Sequence, residues 1–182
     1  MSLTVRYVDA RRHRPPRAEL RLDVRVRNDD DAERWALMPD TLAQEPRAPG
    51  AEVWSIAAWQ LGGLRRAFVL HATGDAGWYA VLVPPHATIT LAGLPFAWWG
   101  ELPDEVDVPV ELVGDLAVDD EPLPDRLGAV PASDPDATVD GMRVTDPAAV
   151  LAAIRGTPAQ PLRVGWTPAR RAVTRARLDD AD

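Results

Sequence analysis

The stretch "ELRLDVRVRN", residues 19–28, decides the fold class. Its apolar side chains, Leu20, Leu22, Val24 and Val26, alternate with charged ones. A period of two places successive side chains on opposite faces of a β-strand. One face then joins a core while the other stays in water, which is typical of antiparallel sheets. The stretch therefore predicts a half-buried strand of an antiparallel sheet.

Further strand-like stretches recur between turn signals, about every ten residues along the chain. They lie at residues 3–8, 34–39, 51–61, 64–72, 78–85, 86–93 and 106–118. Proline, at 18 of 182 residues, favours strands and loops over helices. This spacing favours a β-sandwich or a barrel, and we predict an all-β fold whose first domain, residues 1–118, is an antiparallel sandwich.

Three finer expectations concern single segments of the sandwich. The continuous apolar run at 78–85 predicts a central strand, and residues 94–105 predict an aromatic loop or crossing segment. Pro109 lacks an amide donor, so it predicts an edge position for the strand at 106–118.

The character of the chain changes after residue 118. Residues 119–141 are acidic and rich in proline, which predicts a linker. We expect residues 142–182 to form a small appendage of one helix, at 145–156, and one strand, at 161–166.

The helix at 145–156 has an apolar stripe that must dock on another surface, either the chain's own sandwich or a partner. It is too short to persist alone in water, and its stripe consists of Val150, Leu151 and Ile154. After the strand, residues 167–178 suit either a helix or a strand, with the alternation of Arg171, Val173 and Arg175 favouring a strand.

Two stretches resemble the immunoglobulin-like sandwiches common in bacteria. These are "LRLDVRVRNDDDAERW" and "VLVPPHATITL", and the resemblance covers residues 18–92. The chain has no cysteine, so it lacks the disulfide that flanks the core tryptophan of antibody domains. The resemblance implies a fold and assigns no catalytic residue.

Composition argues against several classes of function. Without cysteine there are no disulfides, thiol nucleophiles or cysteine-bound metals. All 20 basic residues are arginine, which fits the coding bias of a GC-rich bacterial genome. A net charge of −8 argues against nucleic-acid binding. No apolar run approaches the ~20 residues of a membrane helix, so we expect a cytoplasmic protein that binds no membrane.

Charge is segregated along the sequence. Residues 1–27 and 147–182 are net basic, at +5 and +3, whereas residues 28–146 carry −16. Two interpretations stay open: the basic ends fold onto the acidic middle, or one end binds an acidic partner.

The residues available for catalysis are few. Ser55, His71 and Asp75 could form a nucleophile, base and acid, but no Gly-x-Ser-x-Gly motif is present. Residues 136–147 begin like a calcium-binding EF-hand loop but place Pro147 where a glutamate is required. The sequence therefore predicts no enzyme, no metal site and no cofactor.

Binding through exposed aromatic and basic side chains is the better prediction. Seven tryptophans against two phenylalanines, including the adjacent Trp98 and Trp99, suit anchors of a protein interface. The candidate binding residues are Trp98, Trp99, Val150, Leu151, Ile154, Trp166, Arg171 and Arg175.

The sequence thus predicts a non-catalytic accessory protein of a bacterium that binds another protein or assembles with itself. Binding would use a sheet edge, the exposed tryptophans or the C-terminal segment. One alternative is a structural subunit of a larger bacterial particle or secretion assembly. Another is a hydrolase or carbohydrate-active protein that uses His71 and the Trp98–Trp99 pair.

Overall fold

The computed structural model describes most of the chain as β-structure. The described residues are 1–12, 17–42, 51–61, 64–72, 77–123, 138–140, 143–144 and 162–177. Within them the regular elements are β1 (Ser2–Arg12), β2 (Arg17–Arg27), β3 (Arg34–Pro39), β4 (Ala51–Leu61), β5 (Leu64–Ala72), β6 (Gly77–Val83), β7 (Thr88–Trp99), β8 (Glu105–Val118), β9 (Glu121–Pro122), β10 (Thr138–Asp140), β11 (Arg143–Val144) and β12 (Leu162–Arg177). The strand pairs are antiparallel except β7–β10. The all-β, antiparallel prediction is confirmed.

The small sheet contains four strands in the order β1-β2-β7-β10. Strand β2 includes the stretch that opens the sequence argument. Its apolar residues Leu20, Leu22, Val24 and Val26 are at most 1% exposed, while its charged residues face outward. The prediction from the two-residue period is therefore confirmed: one face of β2 is buried and the other is in water.

The larger sheet closes on itself. Its order is β11-β4-β12-β8-β3-β6-β5, and β4 pairs with β5 as well. This last pairing joins β4, β12, β8, β3, β6 and β5 into a ring, which we call the closed sheet. Two pairings of the ring are short: β4 with β12, which joins residues 51–53 to residues 162–164, and β3 with β8, which joins residues 35–37 to residues 111–113.

Two hydrophobic cores follow from this layout. One cluster draws almost all its members from the ring strands and so fills the closed sheet, where Trp78 and Trp166 meet edge to face at 5.6 Å between centroids. The other lies between the closed sheet and the small sheet, where Tyr79 meets Phe96 at 5.5 Å. Two packed sheets give the sandwich-like character that the sequence predicts.

Strand β7 corrects the loop predicted at residues 94–105. Residues 94–99 continue β7 and pair with residues 17–22 of β2. Gly93, with φ of 61°, forms a bulge there, and Asp23 accepts its amide hydrogen bond at 2.9 Å. The bulge shifts the alternation of buried and exposed side chains by one residue. In the sequence, this single strand therefore looks like a strand followed by a loop.

The edge position predicted for the strand at Pro109 is wrong, although the local reason holds. Strand β8 lies between β12 and β3, so it is interior to the sheet. Strand β3, however, pairs only with residues 111–113 of β8. Pro109 pairs with Val173 of β12 and lies outside the described pairing of β8 with β3. The central position predicted for the run at 78–85 is confirmed by β6, which is buried throughout.

The C-terminal strand belongs to the closed sheet. Strand β12 pairs with β8 from Glu105 to Val118, and it includes residues 167–177, which the sequence left open between helix and strand. A boundary at residue 118 therefore separates, in sequence, two strands that pair along their length. The helix predicted at 145–156 lies outside the described residues. The segment predicted as a linker, 119–141, contributes β9 and β10.

Candidate functional site

The first half of β8 and the second half of β12 form a two-stranded ribbon with two different faces. On residues 105–112 of β8 the even-numbered side chains are buried in the core below the small sheet, and the odd-numbered ones point the other way. On β12, Ala176 joins the same core. We call residues 105–111 and 171–177 together the charged ribbon, after the side chains on its outer face.

Ion pairs cross the outer face of the charged ribbon. Arg175 binds Asp107 through two bonds, at 2.7 Å from Nε and 3.1 Å from Nη2, and it reaches Glu105 at 3.3 Å. Arg177 lies 2.7 Å from Glu105. The hydrogen bond from Arg175 lowers the pKa of Asp107, and the same bond raises the pKa of Arg175. Surface pairs of this kind add little stability, so their main effect is to orient the side chains.

Val173 interrupts the row of charges. It lies opposite Pro109 in the register and is 53% exposed, the highest exposure among the large apolar side chains whose burial the structure describes. Valine on an exposed strand invites contact with another apolar side chain. The outer face therefore presents an apolar point between charged pairs.

Strand β1 lies close to the second half of β12, where the Thr174 hydroxyl donates to the Leu3 carbonyl at 3.3 Å. Thr41 and Leu42, which follow β3, contact β7: Leu42 donates its amide to Ala97 at 3.1 Å, and Thr41 bridges the same residue.

The residues predicted from sequence fall in different places. Arg171 and Arg175 lie on the charged ribbon, with 58% and 60% of their side chains exposed. Trp166 is buried in the closed sheet and donates from Nε1 to Glu111 at 2.9 Å, which leaves little surface for a partner. Val150, Leu151 and Ile154 lie outside the described residues.

The adjacent tryptophans point apart, as an extended strand requires. Trp98 packs against the core below the small sheet, and its Nε1 donates to the Glu101 carbonyl at 2.7 Å. Trp99 follows on the opposite face of β7 and is half-buried. The two rings therefore do not form one platform.

Sequence reasoning missed the acidic half of the charged ribbon. Neither Glu105 nor Asp107 was among the candidate residues, and both lie on β8 opposite Arg177 and Arg175. A signal was present: residues 105–111 alternate acids with valine, and residues 171–177 alternate arginines with small residues. Two strands with the same period and opposite charge suit each other as neighbours.

The residues of the enzyme alternative lie elsewhere. His71 is exposed at the end of β5, and the register places Ser55 opposite it on β4. Asp75 lies outside the described residues. The nearby carboxylate is Asp40, whose Oδ1 accepts the Gly77 amide at 2.7 Å and the Thr41 hydroxyl at 3.1 Å. These bonds engage Asp40 in holding β3 against β6.

Burial gives Asp40 an opposite pH response to the surface carboxylates. Desolvation raises its pKa above the ordinary 3.8, so its ionisation costs the folded state more than the unfolded one. The stabilisation that protonated Asp40 gives to the folded state is present below pH 3.8, and it is lost as pH rises through the folded-state pKa. We expect Asp40→Asn, which keeps the acceptor, to remove this loss, so the unfolding free energies of the variant and the wild type should diverge above pH 3.8. Urea titrations across pH 3–7 test this, and parallel curves would contradict it.

Two structural absences bear on other classes of site. Among the described residues no helix has the length and apolar character needed to span a membrane. In the same part of the chain no three His, Asp or Glu side chains are placed to hold one metal ion.

Comparison with known proteins adds no relative from which a role could be transferred: no family model, curated protein or solved structure matches the chain.

Proposed function

We propose that this chain is a non-catalytic protein-binding module that contacts its partner through the outer face of the charged ribbon. The observation that carries the proposal is Val173, an apolar side chain that is 53% exposed between the charged side chains of that face. Protein interfaces combine an apolar centre with a polar rim, and this arrangement suits such a contact. The pairing of β12 with β8 along its length holds the face in place.

The proposal retains several expectations from the sequence. These are the accessory role in a bacterium, the cytoplasmic location and the absence of nucleic-acid or membrane partners. The immunoglobulin-like resemblance and the C-terminal helix stay predictions. Immunoglobulin domains consist of two open sheets, whereas the larger sheet here closes.

The test replaces the exposed apolar side chain of Val173 by lysine, a residue that is depleted at protein interfaces. Proteins captured from the source organism by the full chain are identified, purified and titrated by calorimetry. We expect Val173→Lys to weaken the identified complex about tenfold or more. Ala32→Lys, on an exposed turn, is the matched control and should bind like the wild type.

Two outcomes would count against the proposal: equal affinity of Val173→Lys and wild type, or equal loss in both lysine variants. Analytical ultracentrifugation of the chain alone addresses the assembly alternative. Regular oligomers that Val173→Lys dissociates would identify the partner as a second copy.

A further inference from the structure

The outer face of the charged ribbon carries two parallel rows of opposite charge, and these rows bear on the kind of partner that fits it. Glu105 and Asp107 form an acidic row along β8, and Arg177 and Arg175 form a basic row opposite them on β12. These four side chains stay 37–67% exposed. Because each arginine is already bound to an acid of its own chain, the four charges cancel, and their separation into two rows is what a partner can recognise.

A partner segment of one charge does not suit such a face. An acidic segment that approaches the basic row is repelled by the acidic row, which lies one strand spacing of about 5 Å away. A basic segment meets the reverse problem. The face suits a surface that itself carries two rows of opposite sign at the same spacing, and the charged ribbon of a second copy is such a surface.

A second copy fits this face in one orientation. A two-fold axis that runs parallel to the strands, above the seam between β8 and β12, places the acidic row of each copy over the basic row of the other. Glu105 then lies over Arg177 of the second copy, and Asp107 lies over Arg175. Since a two-fold axis repeats every contact, four pairs of opposite charge form across the interface.

The apolar point of the face fits the same orientation. Val173 lies opposite Pro109 in the register, so this two-fold axis places Val173 of each copy over Pro109 of the other. An apolar contact beside charged pairs has the anatomy of a protein interface.

A two-fold axis that runs across the strands gives the opposite result. It places β8 over β8 and β12 over β12. When it passes through the row of Asp107 and Arg175, each of these residues faces the same residue of the second copy, and like charges in that position oppose association.

We infer that the chain forms a two-fold symmetric homodimer through the outer face of the charged ribbon, with the acidic row of each copy over the basic row of the other. The inference rests on the proposed function, because it names the partner of that face. The ribbon is small beside the ~800 Å² per partner of a standard interface. We therefore expect a weak dimer, with a Kd of about 100 µM.

Analytical ultracentrifugation of the full chain, from about 10 µM to about 1 mM, tests the inference with two variants. Arg175→Glu puts an acid into the basic row, and Asp107→Arg puts an arginine into the acidic row. Each variant alone should self-associate about tenfold more weakly or less, because like charges then face each other at two positions.

An equal mixture of the two variants should associate within about threefold of the wild type. In the mixed dimer the glutamate introduced at position 175 lies over the arginine introduced at position 107, and the original Asp107 of one copy lies over the original Arg175 of the other. Both variants lack the bond between Arg175 and Asp107 inside the chain, so that bond cannot explain the recovery.

The matched controls are Arg163→Glu on β12 and Asp115→Arg on β8, the same charge changes at exposed residues outside the charged ribbon. Alone and mixed, they should associate as the wild type does. All four variants keep a net negative charge, because the wild type carries −8, so attraction between whole molecules does not explain recovery in a mixture. Circular dichroism of each variant monitors folding.

The outcomes separate this inference from the proposed function. A wild type that stays monomeric up to about 1 mM would overturn the dimer, and the Val173→Lys titration would then decide the proposed function by itself. Self-association that both ribbon variants retain would overturn the inference by placing the contact on another surface. Loss in each variant without recovery in their mixture would overturn the arrangement of row over row.

Discussion

Gly77→Ala should destabilise the protein by about 3 kcal/mol or more, because the added methyl group has no space. A Cβ at residue 77 would lie 2.1 Å from the Leu70 carbonyl oxygen and 3.0 Å from Asp40 Oδ2. The first atom belongs to the backbone of β5, so relief requires β5 and β6 to separate. That separation would disturb both cores, since these two strands contribute to each of them.

The control for this substitution is Gly165→Ala on β12. Nothing lies within 4 Å of a Cβ there, and the backbone does not require glycine. We expect a change within about 1 kcal/mol, with a small gain from reduced freedom of the unfolded chain. Urea unfolding monitored by tryptophan fluorescence measures both variants. A loss at Gly77 no larger than at Gly165 would show that the strands do not approach this closely.

Asn28→Ala should cost about 3 kcal/mol or more, because it removes a buried side chain that holds two turns together. The Asn28 side chain is fully buried. Its Nδ2 donates to the carbonyls of Ala32, Val83 and Pro84 at 2.8, 3.2 and 3.1 Å, and its Oδ1 accepts the Asp30 amide at 3.1 Å. Alanine leaves these four groups without their partner, and unmade buried hydrogen bonds are costly.

Two further variants make the test specific. Asn28→Asp keeps the shape but turns the donor group into an acceptor that faces three carbonyls, so it should be at least as unstable as alanine at pH 7. Asp31→Asn lies in the same turn and is fully exposed, so its effect should stay within about 0.5 kcal/mol. Thermal unfolding measures the stability of the variants. If Asn28→Ala proved as stable as Asp31→Asn, the bridging role of Asn28 would be contradicted.

The strands were predictable because most of them have one buried face. Strands β3, β4 and β5 begin and end where the sequence pattern places them. The closure of the larger sheet was not predictable, because the β4–β5 and β4–β12 pairings depend on residues far apart in sequence. Alternation specifies which face is buried but not which strand lies alongside.

The candidate site was predictable only in part, for a related reason. Arg171 and Arg175 stand out by their alternation, whereas the importance of Val173 depends on its exposure, which composition does not report. Trp166 illustrates the reverse error: tryptophan at an interface and tryptophan in a core look the same in sequence. Asn28 and Gly77 gave no signal, because their roles depend on carbonyl groups elsewhere in the fold.

The place of β12 has a consequence for biosynthesis. It is the last described strand to leave the ribosome, yet it sits between β4 and β8, which are made earlier. Until it arrives, both neighbours lack the partner that closes the ring, and pairings between distant segments form slowly. The nascent chain therefore passes through a stage with unprotected strands, in which dependence on a chaperone and aggregation upon C-terminal truncation are the expected costs.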